Sequence, residues 1–191
     1  MAIQVRPATS FTDVQTMVGP KRPDATVCWC LSYRLSSKEN NALRGEQRGD
    51  RVKSLVKLDP PPGVLAYDDD GEVVGWAAVH PRADTSFARN RRIPHLDDLD
   101  VWSIWCLRVR PGHRGRGIAH HLLAGAVAFA KKNGAPAVEG YPVDNKGEKV
   151  DLTMAYVGTR ALFERAGFTK AAGTDSVLNG FPRVLMRLPL S

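Results

Sequence analysis

The feature that most constrains the fold of this chain is a glycine-rich basic turn between an apolar strand and an amphipathic helix. Residues 101–110 are apolar, β-branched and aromatic, which predicts a buried strand. Residues 118–132 repeat apolar side chains at helical spacing, and Asn133-Gly134 predicts the end of that helix. The turn between them reads Pro111-Gly112-His113-Arg114-Gly115-Arg116-Gly117. A strand that turns directly into a helix places the helix N-terminus at one edge of a sheet.

This turn has the composition of a site that binds phosphate groups. The N–H groups of a tight turn converge, and the helix N-terminus contributes about half a positive charge. Arg114 and Arg116 add full charges, while Gly115 and Gly117 let a ligand approach the backbone without meeting a Cβ atom. The turn lacks the Gly-Lys-Ser/Thr of a P-loop and the Gly-x-Gly-x-x-Gly of dinucleotide-binding folds. We therefore predict a pyrophosphate-binding turn; the alternative is a basic loop without a ligand.

The rest of the chain alternates strands and helices without a repeat or a shift in composition, which predicts one domain over residues 1–191. Its fold class is α/β of the mixed α+β kind, a mixed central sheet flanked by helices. The hairpin around Asp68-Asp69-Asp70-Gly71 is the strongest local signal. In chain order we predict strand 3–8, helix 10–18, helix 36–58, hairpin strands 64–67 and 72–79, strand 101–110, helix 118–132, strand 137–141, helix 155–166 and strand 184–188.

Composition narrows the cellular setting and the kind of partner. The 191 residues carry a net charge of +7, which favours anionic partners without choosing among them. Three irregularly spaced cysteines favour a reducing compartment over a disulfide framework, and no Cys/His set with metal-ligand spacing is present in the sequence. The apolar stretches are too short to span a bilayer, and the N-terminal segment lacks a signal-peptide pattern. We expect a cytoplasmic protein without a membrane partner or a metal.

Two motifs follow one another along the chain, Arg114-x-x-Gly117-x-Ala119 and Ala161-Leu162-Phe163-Glu164-Arg165-Ala166-Gly167-Phe168. The first resembles the acyl-CoA-binding signature of the GNAT superfamily of N-acetyltransferases, and the second resembles another signature of that family. The order of the predicted elements agrees as well. The resemblance covers residues 64–188 well and the first 60 residues loosely. Residues 1–60 are therefore expected on the acceptor side of a GNAT-like domain.

The resemblance implies a donor site for acetyl-CoA. Strands 101–110 and 137–141 would splay apart and admit the thioester between them, with the backbone of Leu107 and Val109 binding the pantetheine arm. The N–H groups from Arg114 to Ala119 would hold the pyrophosphate. The reaction would be direct transfer of the acetyl group to an amine, with no metal. The implied donor-site residues are Leu107, Arg108, Val109, Arg114, Gly115, Arg116, Gly117, Ile118 and Ala119.

This sequence departs from the family pattern at the residue that reprotonates the leaving thiolate, which in many family members is a Tyr of the second motif. The position of the usual Tyr is Phe163, and the usual Asn is Gly158. Tyr156, two turns before Phe163 on a helix predicted over residues 155–166, is one substitute, and Tyr141 is another. For both residues a packed aromatic role is the alternative.

The base that deprotonates the amine is also not evident. Some family members place a Glu on the strand before the Gly-rich turn, and the nearest position in this sequence is Ser103. Glu139, a charge inside an apolar strand, is the main candidate; Asp100 and His80 are others, and a solvent-facing role for Glu139 is the alternative. A covalent acyl-enzyme through Cys30 or Cys106 is a further alternative.

The sequence leads to one preferred function and two others. We predict an acetyl-CoA-dependent N-acetyltransferase acting on a primary amine of a small molecule or a protein. The alternatives are a non-catalytic acyl-CoA sensor and an aminoacyl-tRNA acetyltransferase. The dispersed basic residues disfavour a nucleic-acid partner. Acceptor specificity is expected in residues 20–60 and 81–100, and the resemblance also allows a homodimer.

Overall fold

Seven strands form one mixed sheet in this computed structural model, which describes residues 2–22, 24–25, 28–151 and 156–190. The strands are β1 (Gln4–Pro7), β2 (Gly63–Tyr67), β3 (Val73–Pro81), β4 (Trp102–Val109), β5 (Ala137–Gly140), β6 (Thr169–Leu178) and β7 (Phe181–Pro189). The α-helices are α1 (Phe11–Val18), α2 (Ser37–Ala42), α3 (Glu46–Leu55), α4 (Ile118–Lys132) and α5 (Arg160–Arg165). The strand order is β1-β2-β3-β4-β5-β7-β6.

The only parallel pair among the described strands is β4 with β5, at the centre of the sheet. Helix α4 makes the crossover between them, as a parallel connection requires. Its apolar stripe, which includes Leu122, Leu123 and Ala126, is buried against one face of β1–β4. The helix begins after Gly117 and ends at Asn133-Gly134, as the sequence predicts. The Gly-rich turn is therefore held rigidly between a central strand and a buried helix.

The opposite face of the sheet is covered by the N-terminal third of the chain. Helix α1 packs on β3 and β4 and contacts α3. The apolar cluster on this face contains Val14, Trp29, Trp76 and Trp105, together with Tyr141 from the segment after β5. The N-terminal region therefore adds a separate wall on the side of the sheet away from α4.

Two local predictions need correction. The predicted polar helix 36–58 is two helices, α2 and α3, because the backbone turns at Gly45, whose φ is +42°. The predicted C-terminal helix 155–166 begins only at Arg160, after Gly158 in the left-handed region with φ +83°. Residue 155, the first of the predicted helix 155–166, lies outside the described part of the chain.

Strand β6 is missed by the sequence analysis. It carries Thr, Lys, Asp and Ser with few large apolar residues, and its burial alternates between exposed and half-buried. It is an edge strand, paired only with β7 in the described sheet, so one ladder of hydrogen bonds stabilises it without an apolar run.

The fold class is confirmed: the described chain is a mixed α/β structure with a seven-stranded sheet between helices. Among the described residues, no helix has the length and apolarity needed to cross a bilayer.

Candidate active site

Strands β4 and β5 separate soon after they pair. Their parallel register runs from Trp102↔Val138 to Ile104↔Gly140, and the described residues show no further pairing. On the other side of β4, the register with β3 shifts between Ala78 and Val79, which leaves Trp105 as an extra residue in β4. Such a bulge increases the local twist. The end of β4, from Leu107 to Val109, therefore leaves the neighbouring β5 edge open, as the resemblance implied.

A groove of about 360 Å³ begins at this opening and runs to the N-terminus of α4. It gathers eight of the nine donor-site residues that the sequence predicted; Arg116 alone does not line it, although it lies in the turn. The sequence analysis did not assign His113, His120, Gly158, Thr159, Leu162 and Arg165, which complete the wall. Their spacing carries no signal, because they come from the turn, from α4 and from the segment around α5.

The turn has the form that a bound phosphate group needs. Gly115 and Gly117 have φ values of +78° and +76°, and nothing lies within 4 Å of a Cβ built at either residue. No side chain caps the N-terminus of α4 at Gly117. The Nδ1 atom of His113, which lines the groove, is buried and has no hydrogen-bond partner in the described structure. Open backbone, unused N–H groups and an unpaired ring nitrogen together fit an anionic ligand.

The segment between Tyr156 and Arg160 spans the gap between β4 and the chain beyond β5. The Leu107 N–H donates to the Tyr156 carbonyl at 2.7 Å, and the Val143 N–H donates to the Gly158 carbonyl at 3.0 Å. The sequence had assigned the Leu107 backbone to a ligand. In this structure its N–H is already bonded, so a ligand that needs this donor must replace Tyr156.

Phe163 lies at the base of the opening, in the position that the family resemblance would give to a proton donor. Its ring is fully buried, leaves no room for a Cβ at Gly140 and packs edge-on against Phe168. No hydroxyl is available from this residue, so an acid must come from elsewhere.

Tyr156 is not on α5, so the predicted shared helix face with Phe163 is wrong. It lies instead beside Leu107 of the groove wall, where its carbonyl accepts a hydrogen bond from the Leu107 N–H. The Arg108 guanidinium stacks over its ring at 5.6 Å. Burial, followed by electrostatic repulsion from the nearby Tyr33 side chain, raises the pKa of Tyr156. Its hydroxyl therefore stays protonated at neutral pH.

Glu139 and Tyr141 form a separate buried cluster under the sheet. Glu139 is fully buried, so the solvent-facing alternative is wrong. Its carboxylate accepts from Arg187 Nη2 at 2.7 Å and Arg82 Nη1 at 3.2 Å. The Tyr141 hydroxyl donates to Glu139 at 2.9 Å and lies 3.0 Å from Ser103 Oγ. Burial and the Glu139 charge raise the pKa of Tyr141.

The remaining base candidates lie away from the groove. His80 is buried beside Arg34 and Asp84, and desolvation followed by the Arg34 charge lowers its pKa. Asp100 is exposed and lines a different cavity together with Asp97 and Trp102. Neither residue lines the donor groove.

The three cysteines meet beside Arg108 on the face of the sheet away from α4. The Cys30 N–H donates to the Cys28 sulfur at 3.1 Å, and Cys30 contacts Cys106 through its side chain. A hydrogen bond from Cys30 and the nearby Arg108 charge lower the pKa of Cys28 to about 6 despite its burial. Burial raises the pKa of Cys30, which disfavours it as a nucleophile. Within the described residues, no group of His, Cys, Asp and Glu side chains has the geometry to hold a metal ion.

Comparisons with known proteins agree with this architecture. The model of the acetyltransferase (GNAT) family matches residues 31–168. An acetyltransferase of the GNAT family from Bacillus cereus is 13% identical, with a TM-score of 0.58 over 100% of this chain and 99% of its own. The PaiA N-acetyltransferase from Thermoplasma acidophilum, solved with coenzyme A, is 15% identical, with a TM-score of 0.56 over 100% of both chains.

A further solved structure, the GCN5-related N-acetyltransferase from Kribbella flavida, is 20% identical, with a TM-score of 0.52 over 99% of this chain and 98% of its own. At these sequence identities the similarity to the solved structures shows that this chain has the same fold. A comparison with curated protein sequences found no significant match. The family model covers most of the chain, from the segment before α2 to the end of the second motif, so this chain belongs to the GNAT acetyltransferase family.

Proposed function

We propose that the chain is an N-acetyltransferase that takes its acetyl group from acetyl-CoA and transfers it to a primary amine of a small molecule or a protein. The observation that supports this most is the groove, which joins the open N-terminus of α4 to the gap between β4 and β5. The first end suits a pyrophosphate, and the second suits an extended arm that runs beside a strand edge. The experiment that tests the proposal is acetyl transfer from acetyl-CoA to amines, measured as release of the CoA thiol that depends on the amine.

Binding of the donor is assigned to the turn and the first turn of α4. Their N–H groups and the N-terminal helix dipole are preorganised for phosphate oxygens, and Arg114 adds a charge on the groove wall. Arg165 lies on the same wall and adds a further positive charge, and the His113 ring contributes a buried nitrogen without a partner in the described structure.

We expect Arg114→Ala to raise the KM for acetyl-CoA about tenfold while kcat changes little, because the lost contact is made before and during transfer alike. Arg116→Ala is the matched control: it removes the same charge from the same exposed turn but does not line the groove. Steady-state kinetics at saturating acceptor distinguish the two. Equal effects from both variants would show that only the overall charge of the turn matters.

Tyr156 is the proposed acid for the leaving thiolate. It is the tyrosine whose carbonyl is bonded to the groove wall at Leu107, and its hydroxyl is protonated at neutral pH. Glu139 and Tyr141 are assigned a structural role, since both oxygens of Glu139 are already held by arginines and by Tyr141.

The Tyr156→Phe substitution is expected to lower kcat roughly 10²-fold, as for loss of a general acid, while the KM for acetyl-CoA changes little. Tyr67→Phe is the control, because it removes a hydroxyl bonded to Asp13 at 2.8 Å, away from the groove. A kcat for Tyr156→Phe equal to that of the control would leave protonation of the thiolate to water.

A further inference from the structure

Arg183 is the most buried cation of the described chain that has no carboxylate partner. It lies on β7, opposite Val143, just beyond the point where β5 leaves β4. Only 2% of the residue is exposed. Its Nε donates to the Tyr141 carbonyl at 2.7 Å, and its Nη1 donates to the Tyr33 hydroxyl at 2.9 Å. These bonds fix the plane of the guanidinium.

The third nitrogen of this guanidinium is left without a partner. Nη2 is buried and makes no hydrogen bond in the described structure. None of the ion pairs among the described residues includes Arg183, whereas the buried Arg82 and the partly buried Arg187 both pair with Glu139. A buried charge with unused donors is costly, so it indicates that a further group completes the site.

Arg183 also connects to the tyrosine that is bonded to the groove wall. Its guanidinium carbon lies 5.3 Å from the ring centre of Tyr33, and Tyr33 and Tyr156 pack against the same apolar cluster. Tyr156 in turn contacts Leu107, on the groove wall, and has Arg108 over its ring. Arg108 thus lies over Tyr156 and Arg183 over Tyr33, on the face of the sheet away from α4.

We propose that Arg183 binds a carboxylate of the acceptor, so that the amine this protein acetylates belongs to a small amino acid or a related amino carboxylate. This inference rests on the proposed function and adds the acceptor class to it. A carboxylate accepts hydrogen bonds from the free edge of a guanidinium and neutralises its charge. The same positive charges repel acceptors that carry several ammonium groups, such as polyamines and aminoglycosides.

The test compares acceptors that differ only in the anionic group. Free amino acids are assayed with acetyl-CoA beside their own carboxamides, and spermidine and kanamycin serve as polycationic acceptors. We expect at least one amino acid to be acetylated with a kcat/KM about tenfold or more above that of its carboxamide, since a charge-assisted hydrogen bond is lost in the amide. Spermidine and kanamycin are expected to be poor acceptors.

Variants of Arg183 connect this preference to the residue. Arg183→Lys keeps the charge and is expected to retain part of the preference for the carboxylate. Arg183→Met is expected to lower kcat/KM for the amino acid to the value for its carboxamide, because the KM for the amino acid rises. If Arg183→Met does not fold, the ratio of acid to amide in Arg183→Lys decides instead: a ratio below that of the unmodified protein supports the role of Arg183, and an unchanged ratio overturns it. A rise in Tm with the amino acid, in the presence of CoA, gives a readout independent of turnover.

The outcomes separate this inference from the proposed function. Equal transfer to acids and amides, or preferred transfer to polyamines, overturns the role of Arg183 and leaves the acetyltransferase intact. The absence of transfer to every amine overturns the proposed function as well. A preference for the carboxylate that survives in Arg183→Met places the anionic subsite elsewhere and also overturns the assignment.

Discussion

Gly117→Trp is expected to abolish binding of acetyl-CoA. A Cβ at this residue points into open space at the mouth of the groove, so an indole there occupies the volume that the pyrophosphate requires. A donor at about 100 times its Kd stabilises a protein by about 2.7 kcal/mol, which in a chain of this size raises Tm by about 5–10 °C. Thermal unfolding with and without acetyl-CoA is expected to show this rise in the unmodified protein and none in the variant.

Gly112→Trp controls for the strain of the substitution itself. Gly112 has a φ of +84° and equally open surroundings, but it does not line the groove. A bulky residue at either position carries the same left-handed penalty of about 1–2 kcal/mol. The control is therefore expected to unfold at a lower temperature and still to be stabilised by acetyl-CoA. Loss of the response in both variants would attribute it to distortion of the turn rather than to a blocked site.

Glu139→Ala is expected to lower the free energy of unfolding by about 3–5 kcal/mol, the usual result of removing one partner from a buried ion pair. The buried Arg82 would lose the only carboxylate to which it is paired in the described structure, while Arg187 would keep Asp97. The Tyr141 hydroxyl would lose its acceptor as well. Equilibrium unfolding in urea measures the change directly.

Glu164→Ala is the matched control, because it removes an exposed glutamate paired with Arg160 at 2.7 Å on α5. Exposed pairs of this kind contribute at most about 1 kcal/mol. If the two variants lost the same small amount, Glu139 would not be the structural centre proposed above, and its assignment as a base would have to be considered again.

The predicted donor residues that the structure brings into one groove come from one continuous segment. The strand, turn and helix from Val101 to Lys132 are coded by local patterns, an apolar run, glycines and a helical repeat, so eight of the nine donor residues fall in one groove. Arg116 is the exception: it lies in the same turn but does not line the groove, because not every side chain of a turn can face the same side.

The residues that local patterns could not place are those brought together across the sheet. Tyr33, Tyr156 and Arg183 are distant in sequence and meet only because β5 and β7 pair beside β4. Glu139 looked like a lone charge in an apolar strand, and its two arginine partners come from the segment after β3 and from β7. The sequence predicts the start of α5 too early, because the helical pattern continues before Gly158 and does not indicate the left-handed turn at that residue.

The measurement that tests the central claim most directly is release of free CoA thiol from acetyl-CoA in the presence of an amine, with the acetylated amine quantified by mass spectrometry. We expect thiol release that depends on the amine, product formed in equal amount, and no release by Gly117→Trp. Binding of acetyl-CoA that stabilises the protein, without transfer to any amino acid, polyamine, aminoglycoside or peptide amine, would contradict the account and identify the chain as an acyl-CoA-binding module.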